Sequence, residues 1–136
     1  MSEATKPIPA PTDNTAPFWS GCAAGELRLR KCAACGVFRS PTRMVCACGA
    51  TAAEWTAVSG RGTVFSYTVV HRAPDPAFKA ELPYVIAIVA LDEGGRLMSN
   101  LVGTEPDSVR IGMPVQAVFE TVAEGVGVPK FRAAQA

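Results

Sequence analysis

Apolar and polar residues alternate along several short stretches of the chain, and a period of two is typical of half-buried β-strands. Leu27 and Leu29 alternate with charged residues between Glu26 and Lys31. After Trp55 the chain consists of apolar runs separated by glycine, proline and acidic turn residues, which favours a succession of strands. The runs predicted as strands are Thr63–His71, Tyr84–Leu91, Leu97–Val102, Val115–Val122 and Val128–Arg132.

These last five strands predict a small closed barrel. Five strands in roughly 75 residues suit the OB-fold, the commonest five-stranded barrel, and an open sandwich is the competing architecture. On the first strand we expect one face to carry Phe65, Tyr67, Val69 and His71, and the other to carry Val64, Ser66, Thr68 and Val70. Tyr84–Leu91 is apolar on both faces, which predicts cover from the barrel interior and from a second partner, either the N-terminal helix or another chain.

Helical spacing is clearest near the N-terminus. Phe18, Trp19 and Cys22 fall on one helical face, and Gly25 is suited to end the helix. We therefore divide the sequence into a disordered Pro-rich tail (1–15), a short helix (16–25), a cysteine-rich module (26–56) and an OB-fold domain (57–136). The fold class is mainly β.

Composition argues against several functional classes. Only 18% of the residues are charged and the formal net charge is +1, whereas nucleic-acid binding usually needs a basic excess. The longest strongly apolar run, Leu82–Leu91, is about half of the roughly 20 residues that a membrane-spanning helix requires. The start of the sequence has no apolar signal-peptide core, so we expect a cytoplasmic protein. Because 49% of the residues are hydrophobic, part of the apolar surface could meet a partner.

Four cysteines fall in two close pairs, each followed by glycine. Cys32 and Cys35 form a Cys-x-x-Cys-Gly knuckle, and Cys46 and Cys48 form a shorter Cys-x-Cys-Gly knuckle. Such pairs can hold one metal ion in the hairpin of a zinc ribbon, so we predict structural Zn²⁺ bound by these four thiolates. Four thiolates and one divalent zinc would change the net charge from +1 to −1.

Two alternatives stay open for this cluster. The shortened second knuckle is compatible with a ribbon that has lost or weakened its metal, and cysteine redox chemistry is the third reading. A thioredoxin-like role would need a βαβ setting, which the sequence lacks. The fifth cysteine, Cys22, is interpreted as a small buried hydrophobe rather than a ligand or nucleophile.

An ordered set of motifs from about residue 17 to residue 132 resembles the family known as domain of unknown function thirty-five. The first half of the set is Pro17-Phe18-Trp19-Ser20-Gly21, Gly25-Glu26-Leu27, Cys32-x-x-Cys35-Gly36 and Pro41-x-Arg43-x-x-Cys46. The second half is the run 62–72, Pro83-Tyr84-Val85, Leu91-Asp92-Glu93, the runs 100–103 and 111–115, and Phe119. The contraction before Cys48 departs from the family pattern.

The resemblance implies an N-terminal helix, a rubredoxin-like zinc ribbon and a C-terminal OB-fold. It also implies a non-catalytic accessory subunit in lipid or steroid metabolism. Such a subunit would form a hetero-oligomer with a thiolase-like or lipid-transfer-type aldolase enzyme, or with a hydratase, that acts on acyl-CoA thioesters, and could help to hold the acyl-CoA. A nucleic-acid-binding OB-fold module is the alternative that the barrel by itself suggests.

The residues support a chain without catalytic machinery of its own. Thiolase chemistry needs an activated cysteine and a histidine base, and His71 is the only histidine in the sequence. His71 precedes a long loop, and long loops of compact domains are often functional. A surface that faces the partner or CoA could therefore include His71, Arg72, Phe78, Lys79 and Asn100. In the alternative interpretation, the side chains of His71 and Asn100 only form hydrogen bonds with backbone groups and have no role in binding.

Overall fold

Two β-sheets and one helix make up the fold, which a computed structural model describes for residues 5–134. The helix α1 spans Ala16–Ala23, and the strands are β1 (Leu27–Cys32), β2 (Phe38–Arg39), β3 (Ala53–Val58), β4 (Arg61–Val70), β5 (Tyr84–Leu91), β6 (Arg96–Val102), β7 (Pro114–Ala123) and β8 (Val126–Ala133). Short 3-10 helices span Pro76–Glu81 and Pro106–Ser108. The predicted mainly β fold with one short helix is confirmed.

The smaller sheet carries the cysteine-rich segment and has the strand order β2-β1-β3. β1 pairs with β3 along its whole length, from Leu27 opposite Val58 to Cys32 opposite Ala53. The sequence pattern did not predict β3, because its alanines bring little apolar surface and its strand state depends on pairing with β1.

The larger sheet closes into a barrel with the order β4-β5-β6-β8-β7. The pairing of β4 with β7 closes it, which excludes the open sandwich. β6 and β8 run parallel, while the other neighbours are antiparallel. A five-stranded Greek-key barrel of this kind is the OB-fold that the sequence predicts.

A β-bulge in β4 corrects the predicted faces of that strand. Val64 lies opposite Val89, but the register then shifts, so that Val69 lies opposite Val85. Opposed residues of antiparallel strands share a face, and Val85 and Val89 both fill the core. Val64 therefore shares its face with Val69 and not with Val70, because the extra residue Phe65 reverses the alternation.

One hydrophobic core joins α1, β1 and the barrel. Cys22 of α1, Leu29 of β1 and Phe131 of β8 belong to the same cluster, and the side chains of Leu29 and Phe131 are fully buried. Burial of a leucine or phenylalanine stabilises a fold by roughly 1.5–3 kcal/mol. The helix packs mainly against β1 and β8, so the outward side chains of β5, such as Ile86, stay partly exposed.

Within residues 5–134, none of the helices has the length and apolar character that crossing a membrane requires. Residues 1–4 of the predicted disordered tail lie outside the described residues. The part of that tail from Thr5 to Pro9 runs beside the barrel.

Gly127 allows α1 to approach β8 closely, so we expect Gly127→Ala to destabilise the protein. A methyl group at this position would lie 2.5 Å from the carbonyl oxygen of Cys22, and the obstacle is backbone rather than a flexible side chain. Overpacking of this kind costs about 1–3 kcal/mol, which urea unfolding would measure.

Gly125→Asn is the matched control for that measurement. Gly125 has φ +72° but no atom within 4 Å of the position of a side chain, and asparagine tolerates the left-handed region. A loss of stability at Gly125 as large as that at Gly127 would contradict the close helix–strand contact as the cause.

Candidate metal centre

Strands β1 and β2 of the ribbon and the loops that follow them bring the four paired cysteines together. Cys32 ends β1, Cys35 lies in the turn after it, and Cys46 and Cys48 lie in the long connection from β2 to β3. Cys32 and Cys46 are buried, whereas Cys35 and Cys48 are exposed. The cluster therefore sits at the surface of the ribbon, with one sulfur of each knuckle turned inward.

The two knuckles use turns of different length. In the first, the N–H of Gly36 donates to the carbonyl oxygen of Cys32, four residues earlier, at 3.0 Å. In the second, the N–H of Gly49 donates to the carbonyl oxygen of Cys46, three residues earlier, at 2.8 Å. Both glycines have positive φ, at 77° and 92°. A shorter turn thus accommodates the missing residue, and the contraction does not disperse the cysteines.

The sulfur positions fit a tetrahedral zinc site. All four Sγ atoms lie within 4.8 Å of one another. The Sγ atoms of Cys32 and Cys48 are 3.7 Å apart, and those of Cys35 and Cys46 are 3.5 Å apart. Zinc–sulfur bonds of about 2.3 Å in tetrahedral geometry place sulfurs about 3.8 Å apart, so the four thiolates are positioned to bind one metal ion. The predicted zinc-ribbon site is therefore confirmed in that its four cysteines are positioned to bind a metal ion.

Backbone donors and sulfur crowding set the acidity of the thiols in opposite directions. The N–H of Cys35 is the main cause that lowers the pKa of Cys32 to about 6, and the N–H of Cys48 lowers the pKa of Cys46. The N–H of Val37 favours the Cys35 thiolate, but the Cys46 side chain, burial and the other two sulfurs raise the pKa of Cys35 to about 12. Four thiolates this close together need a cation to compensate their charge.

Arg39, which was not among the predicted site residues, supports the second knuckle. It is 3% exposed, and its guanidinium donates to the carbonyl oxygens of Met44 at 2.8 Å and Thr51 at 3.2 Å, on either side of the knuckle. Among the described residues no carboxylate pairs with Arg39, and its guanidinium instead fixes backbone by hydrogen bonds. No local sequence pattern indicates this role, because it depends on the positions of the carbonyl groups of Met44 and Thr51 in the folded ribbon.

The residues predicted for a partner-facing or CoA-facing surface do not form one cluster. His71 and Arg72 are exposed in the loop after β4, and Lys79 is exposed on the first 3-10 helix. Phe78 and Asn100 instead line a separate groove on the outside of the barrel. Their role in binding therefore stays a prediction.

Cys22 lies away from the metal centre, in the core beneath α1, and is 1% exposed. Desolvation raises the pKa of this thiol to about 11. A buried neutral thiol is a poor nucleophile, which is the behaviour of the small hydrophobe that the sequence analysis describes.

Loss of a predicted zinc ligand should unfold the ribbon. We expect the purified wild-type protein to contain about one zinc per chain, and Cys46→Ser to lose most of it together with several kcal/mol of unfolding free energy. Elemental analysis and urea unfolding test this, with Cys22→Ala as the control that keeps its zinc. Less than half an equivalent of zinc in wild type, prepared without chelators, would contradict the site.

Acid should release the metal, because each thiol must lose its proton to bind zinc. Cys32, with a pKa of about 6, and Cys46, with a lowered pKa, keep their charge to lower pH than ordinary cysteines. As the pH falls through their pKa values, Cys32 and Cys46 take up protons, and the affinity for zinc falls. We expect a loss of more than about tenfold per pH unit between pH 7 and 5, measured by chelator competition. An affinity independent of pH would count against thiolate ligands.

Family models match both parts of the chain. The model described as ChsH2, rubredoxin-like zinc ribbon domain, matches residues 19–54, and the model described as ChsH2, C-terminal OB-fold domain, matches residues 55–120. A solved structure, that of the Ltp2-ChsH2(DUF35) aldolase, contains a chain that is similar over 92% of this chain and 98% of its own length, with a TM-score of 0.80 and 39% identity. A DUF35 structure from Sulfolobus solfataricus, at 21% identity and a TM-score of 0.59, has the same fold.

Curated relatives are of two kinds. A probable enoyl-CoA hydratase alpha subunit from Thermomonospora curvata is 39% identical over 133 residues, which are 97% of this chain but 41% of that protein. The chain thus spans about two fifths of the length of that relative. A DUF35 domain-containing scaffold protein from Methanocaldococcus jannaschii is 41% identical over 96 residues, 69% of this chain and 67% of that protein. The chain belongs to the DUF35 family, whose zinc ribbon and OB-fold it carries in the same order.

Proposed function

We propose that this chain is a non-catalytic scaffold subunit that binds an enzyme acting on acyl-CoA thioesters, of the aldolase, thiolase-like or hydratase type. The observation that carries the proposal is the similarity to the Ltp2-ChsH2(DUF35) aldolase chain, which extends over 98% of that chain. Relatives named as hydratase alpha subunits and as scaffold proteins support the same class of role. Because the hydratase subunits are much longer, their activity does not transfer directly.

The distribution of reactive groups supports a role without independent turnover. Cys22 is buried with a raised pKa, and the other four cysteines form the metal cluster. His71 is exposed after β4, outside the cysteine cluster and outside the groove lined by Phe78 and Asn100. Nucleophilic catalysis requires a nucleophile and a base within hydrogen-bond reach. Within residues 5–134, no cysteine is hydrogen-bonded to His71.

The loop after β4 is the part of the surface that we assign to partner contact. His71, Arg72 and Lys79 bring imidazole, guanidinium and ammonium groups to one exposed connection between β4 and β5. Such cations can meet the phosphates of CoA or acidic groups of a partner enzyme. Charged groups at the rim of an interface act mainly on the rate of association.

Co-expression with the aldolase-type or thiolase-like enzyme of the native host tests the proposal. We expect the two chains to elute together in size-exclusion chromatography, and the enzyme to gain stability or turnover in the complex. The isolated chain should process no acyl-CoA thioester. Turnover by the isolated chain, or failure to associate with any such enzyme, would refute the scaffold role.

Charge reversal tests the contribution of the loop. Arg72→Glu and Lys79→Glu should slow association with the partner severalfold at low ionic strength, and this difference should shrink in high salt. Arg110→Glu is the matched control, because Arg110 is also exposed but lies in the loop before β7. Equal effects of all three substitutions would indicate a response to net charge and not a docking loop.

A further inference from the structure

A groove of about 760 Å³ runs along the outside of the barrel, and the metal centre takes no part in it. Residues of β5 and β6 form the part of the lining that we call the floor, and residues of β7 and β8 and the segment Thr5–Pro9 complete the lining. Binding sites for small molecules usually have volumes of 300–1,000 Å³. The groove therefore has the size of a ligand site, and a segment distant in sequence helps to enclose it.

The floor is apolar because of the register of β5 and β6. Ile86 and Met98 both line the groove, and Ile86 lies opposite Asn100. The alternate residues of β5, such as Val85, fill the barrel core, so Ile86 must point outward. Met98 is 69% exposed although it is a large hydrophobic side chain. Surface of this kind gains free energy when an apolar molecule covers it.

The charged groups of the groove are paired with one another. The Nζ of Lys6 lies 2.8 Å from the Oε2 of Glu81 and 5.7 Å from the ring centroid of Phe78. The second pair in the groove joins Lys130 to Glu120. Two cations and two carboxylates leave the walls without net charge, so the groove is suited to a neutral ligand.

Asn100 supplies a polar group in the floor. Its side-chain N–H donates to the carbonyl oxygen of Val85 at 3.3 Å, which fixes the orientation of the amide. Among the described residues, none donates to the side-chain oxygen of Asn100, so this oxygen can accept a hydrogen bond from a ligand. One oriented acceptor in an apolar groove selects for a donor on an otherwise apolar molecule.

We propose that this groove binds a neutral, mainly apolar small molecule that carries one hydrogen-bond donor, and that the segment Thr5–Pro9 forms one wall of the site. Lys6 holds the wall in place through Glu81 and Phe78. The three prolines nearby limit the conformations of this segment, which lowers the cost of ordering it. This site goes beyond the scaffold role and does not depend on it.

Titration with N-phenyl-1-naphthylamine tests the site, because this fluorophore is neutral, apolar and carries one N–H donor. We expect saturable binding of one equivalent to the full chain. Met98→Glu should weaken binding at least about tenfold, because it places an unpaired charge on the apolar floor. Asn100→Ala should weaken it severalfold through loss of the hydrogen bond.

Ile111→Glu is the matched control, because Ile111 has the same 69% exposure as Met98 but lies outside the groove. It should leave binding unchanged. Deletion of residues 1–9 should weaken binding severalfold, and unchanged zinc content and circular dichroism would show that each variant is folded.

Three outcomes would overturn the proposal. The first is the absence of saturable binding to the wild-type chain. The second is an equal loss of affinity in the Ile111 and Met98 variants, which would place the fluorophore elsewhere. The third is unchanged or tighter binding after deletion of residues 1–9, which would show that the segment is no wall of the site.

Discussion

The close contact between α1 and β8 is the constraint on which the rest of the architecture depends. Because Gly127 has no side chain, the backbone of α1 at Cys22 can approach the barrel wall. The same helix packs against β1, so one buried cluster contains residues of the helix, the ribbon and the barrel. The β5–β6 hairpin adds a second contact, where Gly95 lies against Leu29. The ribbon is therefore held to the barrel by packing in addition to the chain connection.

The metal centre lies where this packing ends. The loops beyond β1 and β2 contribute little to the hydrophobic core, and their apolar residues Val37, Met44 and Val45 are exposed. Small modules of this kind commonly depend on a metal for stability. Arg39 complements the cysteines, because its guanidinium ties the backbone on both sides of the second knuckle to β2. In these loops the cysteine cluster and the hydrogen bonds of Arg39 thus take the place of a hydrophobic core.

The filled interior of the barrel leaves its outer surface for the binding of partners and small molecules. Its interior is filled by aliphatic and aromatic side chains such as Val64, Val89 and Phe131. Partners and small molecules must use the outer strand faces or the loops. The exposed cations after β4 and the apolar groove over β5 and β6 offer two different chemistries at these places. A scaffold could then contact an enzyme through the cations after β4 and a small molecule through the groove over β5 and β6.

Local patterns in the sequence determined the five strands of the barrel and the four cysteines that form the candidate metal centre. Alternation with a period of two is a property of neighbouring residues, and β5 has the bounds that the pattern predicts. The spacing of the four cysteines likewise needs no tertiary information. Tertiary structure alone decided that Ala53–Val58 is a strand, that Phe65 bulges and that Thr5–Pro9 borders the groove. Each of these depends on pairing or packing with residues distant in the chain, which local periodicity does not encode.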